Sequence, residues 1–157
     1  MSAEEPADIA RRLIQQSIYL TLGSADSAGQ PWVSPVFYVA AGSDRFYWVS
    51  SPDARHSCNL AARPEVSMVI FDSRVPVGEA QAVYISARAE EVAGVELEPA
   101  VQVYSSGSEL RGAREWRLED VIAPAVHRLY RATASEWSIL DSIGHPQSGD
   151  RRLAVEL

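Results

Sequence analysis

Trp48-Val49-Ser50-Ser51-Pro52-Asp53-Ala54-Arg55-His56-Ser57-Cys58-Asn59-Leu60 takes the chain from the end of a strand into the start of a helix. The preceding run, Arg45 to Ser50, is aromatic and β-branched and reads as a strand. Ser51-Pro52 predicts an N-cap with proline in the first helical turn, and the helix reaches about Ala62, short of Pro64. The junction gathers Ser50, Ser51, Arg55 and His56 at a helix N-terminus, where open N–H groups and the positive dipole end favour an anion. Hydroxyls, a guanidinium and an imidazole in that place suit a phosphate. The same residues also fit a plain cap at Ser51 with Arg55 and His56 solvated, and the segment alone leaves both readings open.

Outward from this junction, the chain alternates. Ile18, Leu20 and Leu22 stand every second residue and predict a half-buried strand, followed by a turn over Gly23 to Gln30. Trp32 to Ala40 reads as a second strand in which Pro35 requires an edge or a bulge, since proline cannot donate to the ladder. Ala41 to Asp44 is a tight turn that returns the chain into Arg45 to Ser50 as a hairpin. On the C-terminal side, Glu65 to Asp72 and Gln81 to Val92 alternate, with the loop Ser73 to Glu79 between them. An acidic helix from Val95 to about Tyr104, a Gly/Ser loop from Ser105 to Gly112 and a short helical piece near Glu119 to Ala123 follow. Val126 to Ala132 and Glu136 to Leu140 read as final strands. Gly144 to Asp150 reads as loop, and Arg151 to Leu157 as a brief pairing segment. Before all of these, Glu4 to Gln16 reads as a helix with Ile9 and Leu13 on one face. Six to seven hairpin-linked strands with short helical inserts predict a mainly β, antiparallel barrel of Greek-key character, as one domain over residues 1–157.

Composition narrows the partners. The chain has 157 residues, 46% of them hydrophobic, and a formal net charge of −7. That supports a core without disulfides, and Cys58, the one cysteine, excludes a disulfide framework and suggests a reducing, cytoplasmic setting. No apolar run approaches the ~18 residues of a membrane span, and Glu4, Glu5 and Asp8 stand where a signal peptide would be basic then apolar. Acidity argues against nucleic acid or an anionic membrane as partner. All 14 basic residues are arginine. Without lysine there is no Schiff-base chemistry, and an anion site must use arginine, histidine, hydroxyls or backbone N–H.

Three stretches in order carry a resemblance: Trp32-Val33-Ser34-Pro35-Val36, then Phe46-Tyr47-Trp48-Val49-Ser50-Ser51, then Ala54-Arg55-His56-Ser57-Cys58-Asn59-Leu60-Ala61-Ala62-Arg63-Pro64-Glu65-Val66-Ser67. Over about half the chain this resembles the pyridoxamine 5′-phosphate oxidase-like superfamily of FMN-binding split barrels. The resemblance implies a homodimer with two FMN molecules at the interface. It implies that Arg55 and His56 hold the phosphate, with help from Ser50 and Ser51 at the strand end after Val49. It places Val33, Ser34, Pro35 and Val36 beside the isoalloxazine, Gln81 near the flavin, and Trp137 and Arg151 on the partner's side of the cofactor.

The chain departs from the enzymes that name the superfamily. They carry a lysine in the second strand and basic residues late in the chain; here there is no lysine, and Asp150-Arg151-Arg152-Leu153 fits only in part. Vitamin B6 phosphate is therefore disfavoured as substrate. Some relatives bind coenzyme F-420 and others haem; the acidic tail of F-420 calls for a basic groove, so an acidic chain favours FMN. The expected function is hydride transfer through FMN to or from a small substrate. The alternatives are an F-420-dependent reductase and a non-catalytic flavin- or haem-binding protein. No residue stands out as catalytic; Ser73 to Glu79 and Ser105 to Trp116 are the loops expected to shape a substrate pocket. His56 and Cys58 lack a second pair for zinc, so no metal is expected, and neither a G-x-S-x-G elbow nor a G-x-G-x-x-G loop occurs.

Overall fold

Apolar residues at every second position build one antiparallel sheet, described here from a computed structural model that covers residues 2–149 and 151–157. Asp150, which closes the predicted 144–150 loop, lies outside the described residues. In chain order the elements are α1 (Pro6–Gln16), β1 (Tyr19–Ala25), β2 (Pro31–Phe37), β3 (Val39–Ala41), β4 (Arg45–Ser50), α2 (Arg55–Ala62), β5 (Glu65–Phe71), β6 (Gln81–Glu91), α3 (Leu97–Leu110), β7 (Arg128–Asp141) and β8 (Leu153–Val155). The strands run in the order β2-β1-β5-β6-β7-β4-β3, and β8 pairs with β7.

That order explains the shape. β2 and β3 are the two edges of the sheet, yet only Tyr38 separates them in the chain. The sheet must therefore curl until its edges meet at Tyr38, which gives a mainly β half-barrel with short helices, as expected from the sequence. Tyr38 is fully buried and donates its phenol to the Ile14 carbonyl of α1 at 2.6 Å. Burial pushes its pKa up to about 12, against the lowering effect of Arg111, so the phenol stays a neutral donor. Inside the curl, Leu20, Leu22, Met68, Ile70, Val83 and Ile85 pack with Phe46 and Trp48, and Ile9, Leu13 and Ile14 of α1 join them. Trp48 stacks on Tyr130 at 5.9 Å and 15°. Each such side chain contributes about 1.5–3 kcal/mol by leaving water. A second cluster lies outside the curl, where Val101 and Tyr104 of α3 cover Val39, Tyr47 and Leu129.

Several boundaries differ from expectation, each for a local reason. β1 runs through Ala25, three residues into the predicted turn, because Gly23 pairs with both Val33 and Ser67. The predicted second strand breaks at Tyr38, where one extended segment changes edges. Ser51 does not cap α2: its Oγ accepts from Asp53 N–H at 3.1 Å within a turn, and the helix begins at Arg55 after Ala54. α3 continues to Leu110 through the predicted Gly/Ser loop, and Gly107 is required there because a Cβ would collide with Val39. The two predicted final strands are one strand, β7, with Ser135 taken up as a bulge opposite Ser86 and Ala87. Among the described residues the count is thus eight strands, one more than the upper expectation.

Candidate functional site

The curl leaves a wedge. β3 pairs with β4 only from Arg45 to Tyr47, so Trp48, Val49 and Ser50 continue along β4 without a neighbour on that side. β2 diverges from them on the other side of Tyr38. Its register is fixed by hydrogen bonds from Tyr38 N–H to Ile18 O (3.3 Å) and from Asp26 N–H to Gln30 O (3.1 Å). Antiparallel alternation then ties Ser34 and Val36 to β1 and turns the main-chain groups of Pro31, Val33 and Pro35 away from it. Between the two prolines, the Val33 N–H is the one outward donor. Pro35 thus sits on an edge strand, as its missing N–H demands.

The N-terminus of α2 closes the mouth of this wedge, and two consecutive side chains reach its two arms. His56 Nε2 lies 2.8 Å from Ser50 Oγ on the β4 arm. Arg55 rests over the Trp32 ring on the β2 arm, its guanidinium carbon 4.4 Å from the centroid. The indole N–H of Trp32 donates to Ser34 Oγ at 3.0 Å. Asn59, buried one turn further on, donates to Ser24 Oγ at 3.1 Å and fastens the helix to β1. Because the cap residue is Ala54, no side chain accepts from the first-turn N–H groups of α2.

This donor set fits a phosphate. Among the described residues Arg55 pairs with no carboxylate, whereas Arg11, Arg12, Arg74, Arg88, Arg114, Arg117 and Arg131 all do. Uncapped helix N–H groups, a guanidinium without a carboxylate partner, an imidazole and a hydroxyl converge there. Burial lowers the pKa of His56 below its ordinary 6.5. The folded chain therefore binds fewer protons there than the unfolded chain, and stability falls as pH drops through about 6.5. Denaturant unfolding at about pH 7.5 and about pH 5.5 checks this: the loss on acidification should be smaller in His56→Gln than in the wild type. Equal losses would contradict the assignment.

The remaining predicted residues separate. Val36 is buried in the core, and Val49 packs outward on the second cluster. Ser51 lies at the mouth but is engaged by Asp53. Gln81 and Trp137 stand at the opposite end of β6 and β7, with Trp137 nine residues, roughly 30 Å of strand, from the partner of Ser50. The Gln81 amide is spent at both ends, accepting from Arg12 at 2.8 Å and donating to Asp141 at 2.9 Å. Burial pushes the Asp141 carboxyl up, but donors from Gln81, Gly144, His145 and Ile143 outweigh it and hold the pKa below its ordinary value. Trp137 donates its indole N–H to Ser43 O at 2.9 Å. Trp32 is the residue that sequence reasoning passed over; its only signal was an aromatic beside Val33 on an edge strand. Among the described residues no cluster of His, Cys, Asp or Glu could hold a metal ion, and no helix is long and apolar enough to cross a membrane.

A curled antiparallel sheet that brings Ser50, Arg55 and His56 to a helix N-terminus at its open seam has the architecture of a split barrel. A family model described as pyridoxamine 5′-phosphate oxidase matches residues 7–140, and the chain belongs to that family. No curated protein sequence matches it. Among solved structures, a haem-binding protein from Mycobacterium smegmatis superposes with a TM-score of 0.73 at 20% identity, covering 99% of this chain. The chain spans 59% of that protein's length. An FAD-binding protein from Mesorhizobium loti gives 0.66 at 19% identity over 86% of this chain and 92% of its own. An F-420 reductase gives 0.60 at 16% identity over 82% of this chain and 94% of its own. At these identities the likeness is one of fold.

Proposed function

We propose that the chain is an FMN-binding oxidoreductase that works as a homodimer, with the cofactor phosphate on Arg55, His56 and Ser50. The observation that carries this reading is the guanidinium of Arg55, without a carboxylate partner at an uncapped helix N-terminus in a chain of net charge −7. From there the Val33–Val36 edge leads along the split, offering outward carbonyls and the Val33 N–H to the polar rim of the isoalloxazine. FMN bound there supplies hydride chemistry with a small substrate or a nicotinamide donor. The chain itself binds, orients and shields; none of its side chains needs to act as acid or base.

The outer face of the sheet supports the dimer. Its outward residues on β2, β1 and β5 include Val33, Tyr19 and Phe71, which are 67%, 62% and 48% exposed, and Pro35, Thr21 and Val69 between them. The one charge in these rows is Glu65 at the start of β5, paired with Arg88 of β6, although 22% of the chain is charged. A monomer rarely leaves such a patch open. The face continues over Tyr84 into a groove of about 690 Å³ where Arg152 lies 4.8 Å over the Tyr84 ring, next to Trp137 and Ser138. In a two-fold dimer that end of a second copy would approach the split through its outer face, where Ser138 stands opposite Tyr84.

FMN is favoured over F-420 because the cationic group at the split, Arg55, stands at one helix end and suits a single phosphate, whereas an acidic tail needs an extended basic track. The purified protein tests the reading: the account expects a yellow protein that releases FMN by mass and bleaches with NADH or NADPH. Deazaflavin fluorescence or a Soret band would assign the fold to F-420 or haem. Flavin that no nicotinamide bleaches would indicate a carrier, and a colourless protein that refuses all three would overturn the proposal.

A further inference from the structure

We propose that Trp32 is a positioning residue that sets the selectivity of the site for a phosphorylated flavin, by holding the Arg55 guanidinium in place without consuming any of its donors. The inference rests on the reading of the split as a phosphate site.

An arginine at a protein surface is ordinarily fixed by a carboxylate, which neutralises it and occupies the edge that would meet a phosphate. Arg117 with Glu115 and Arg74 with Asp72 show that arrangement in this chain. Arg55 is fixed differently. Its guanidinium carbon lies 4.4 Å from the Trp32 centroid, so the cation is held against the face of a ring. A π-face attracts the charge without accepting the N–H groups, so all five donors remain for an incoming anion. Freezing an arginine beforehand spares the rotamer entropy that binding would otherwise cost.

The platform is itself held. The Trp32 indole N–H donates to Ser34 Oγ at 3.0 Å, two residues along the same face of β2. β2 is tied to β1 from Pro31 to Phe37, so the ring's position follows from the sheet. Trp32 is 40% exposed, outside the buried core, so its substitution removes the platform without opening a cavity. Arg55 and Trp32 come from opposite sides of the Tyr38 crossing. The stack therefore also spans the split, with His56 on Ser50 as its counterpart on the β4 arm.

The test is calorimetric titration of wild type, Trp32→Phe and Trp32→Leu with FMN and with riboflavin, which lacks the phosphate. Trp32→Phe keeps a π-face and is expected to retain most of the FMN preference. Trp32→Leu is expected to lose roughly 2- to 30-fold in FMN affinity with riboflavin affinity unchanged. Leu variants that keep the full preference would overturn the inference, as would equal losses for both ligands, which would make Trp32 a ring contact or a fold determinant. A wild type that binds riboflavin as tightly as FMN would instead overturn the phosphate-site reading, and this inference with it. Thermal melts of the variants within a few degrees of wild type show that folding is not the cause.

Discussion

Arg55→Ala is expected to purify nearly colourless, with FMN affinity reduced at least about 100-fold. Hydrogen bonds to a charged group are worth about 1.5–3 kcal/mol each, and a guanidinium meets a phosphate through two. Other cations nearby are engaged: there is no lysine in the chain, Arg63 donates to the Ser27 carbonyl, and Arg128, opposite Ser50, donates to the Ala125 and His127 carbonyls. Folding should be untouched, because Arg55 is exposed and donates no bond that the fold uses. Flavin content per chain, read from the visible spectrum after acid release, checks the prediction. Full occupancy in this variant would remove Arg55 from the site.

Val69→Arg should split the dimer and lose the cofactor together. Val69 sits between Thr21 and Tyr84 in the outer face, with no carboxylate opposite it on either neighbouring strand, so in the proposed interface a guanidinium there would be buried without a partner. An unpaired buried charge costs several kcal/mol, enough to convert a stable dimer of ordinary interface size into monomer at micromolar concentration. Val69 points away from the core, so the monomer should stay folded. Sedimentation and bound-flavin content, measured on the same sample, should fall together. A Val69→Arg protein that remains dimeric and fully loaded would show that this face is not the interface.

The half-barrel could be read from the sequence because alternation is local: Leu20, Leu22, Met68 and Ile70 mark their faces within a few residues. The grouping of Ser50, Arg55 and His56 was legible for the same reason, since the three lie within one strand-to-helix junction. Features set by distant parts of the chain could not. The break at Tyr38 depends on both sheet edges meeting there, which no local pattern encodes. Ser105 to Leu110 is helical despite its Ser and Gly because Gly107 lets α3 approach Val39 closely. β7 continues through Ser135 because β6 offers an unbroken partner. Trp32 was missed because its stack on Arg55 bridges the split. Gln81 and Trp137 were grouped with the site by resemblance alone; within one chain their register puts them at the far end of β6 and β7.

The central claim is that the split holds the phosphate of a flavin mononucleotide, and titration of the wild-type apoprotein with FMN and riboflavin in parallel tests it most directly. One FMN per chain is predicted, with riboflavin binding weaker by more than about 100-fold, the difference carried by charge-assisted bonds at Arg55, His56 and Ser50. Equal affinities, or no binding of FMN, would contradict it.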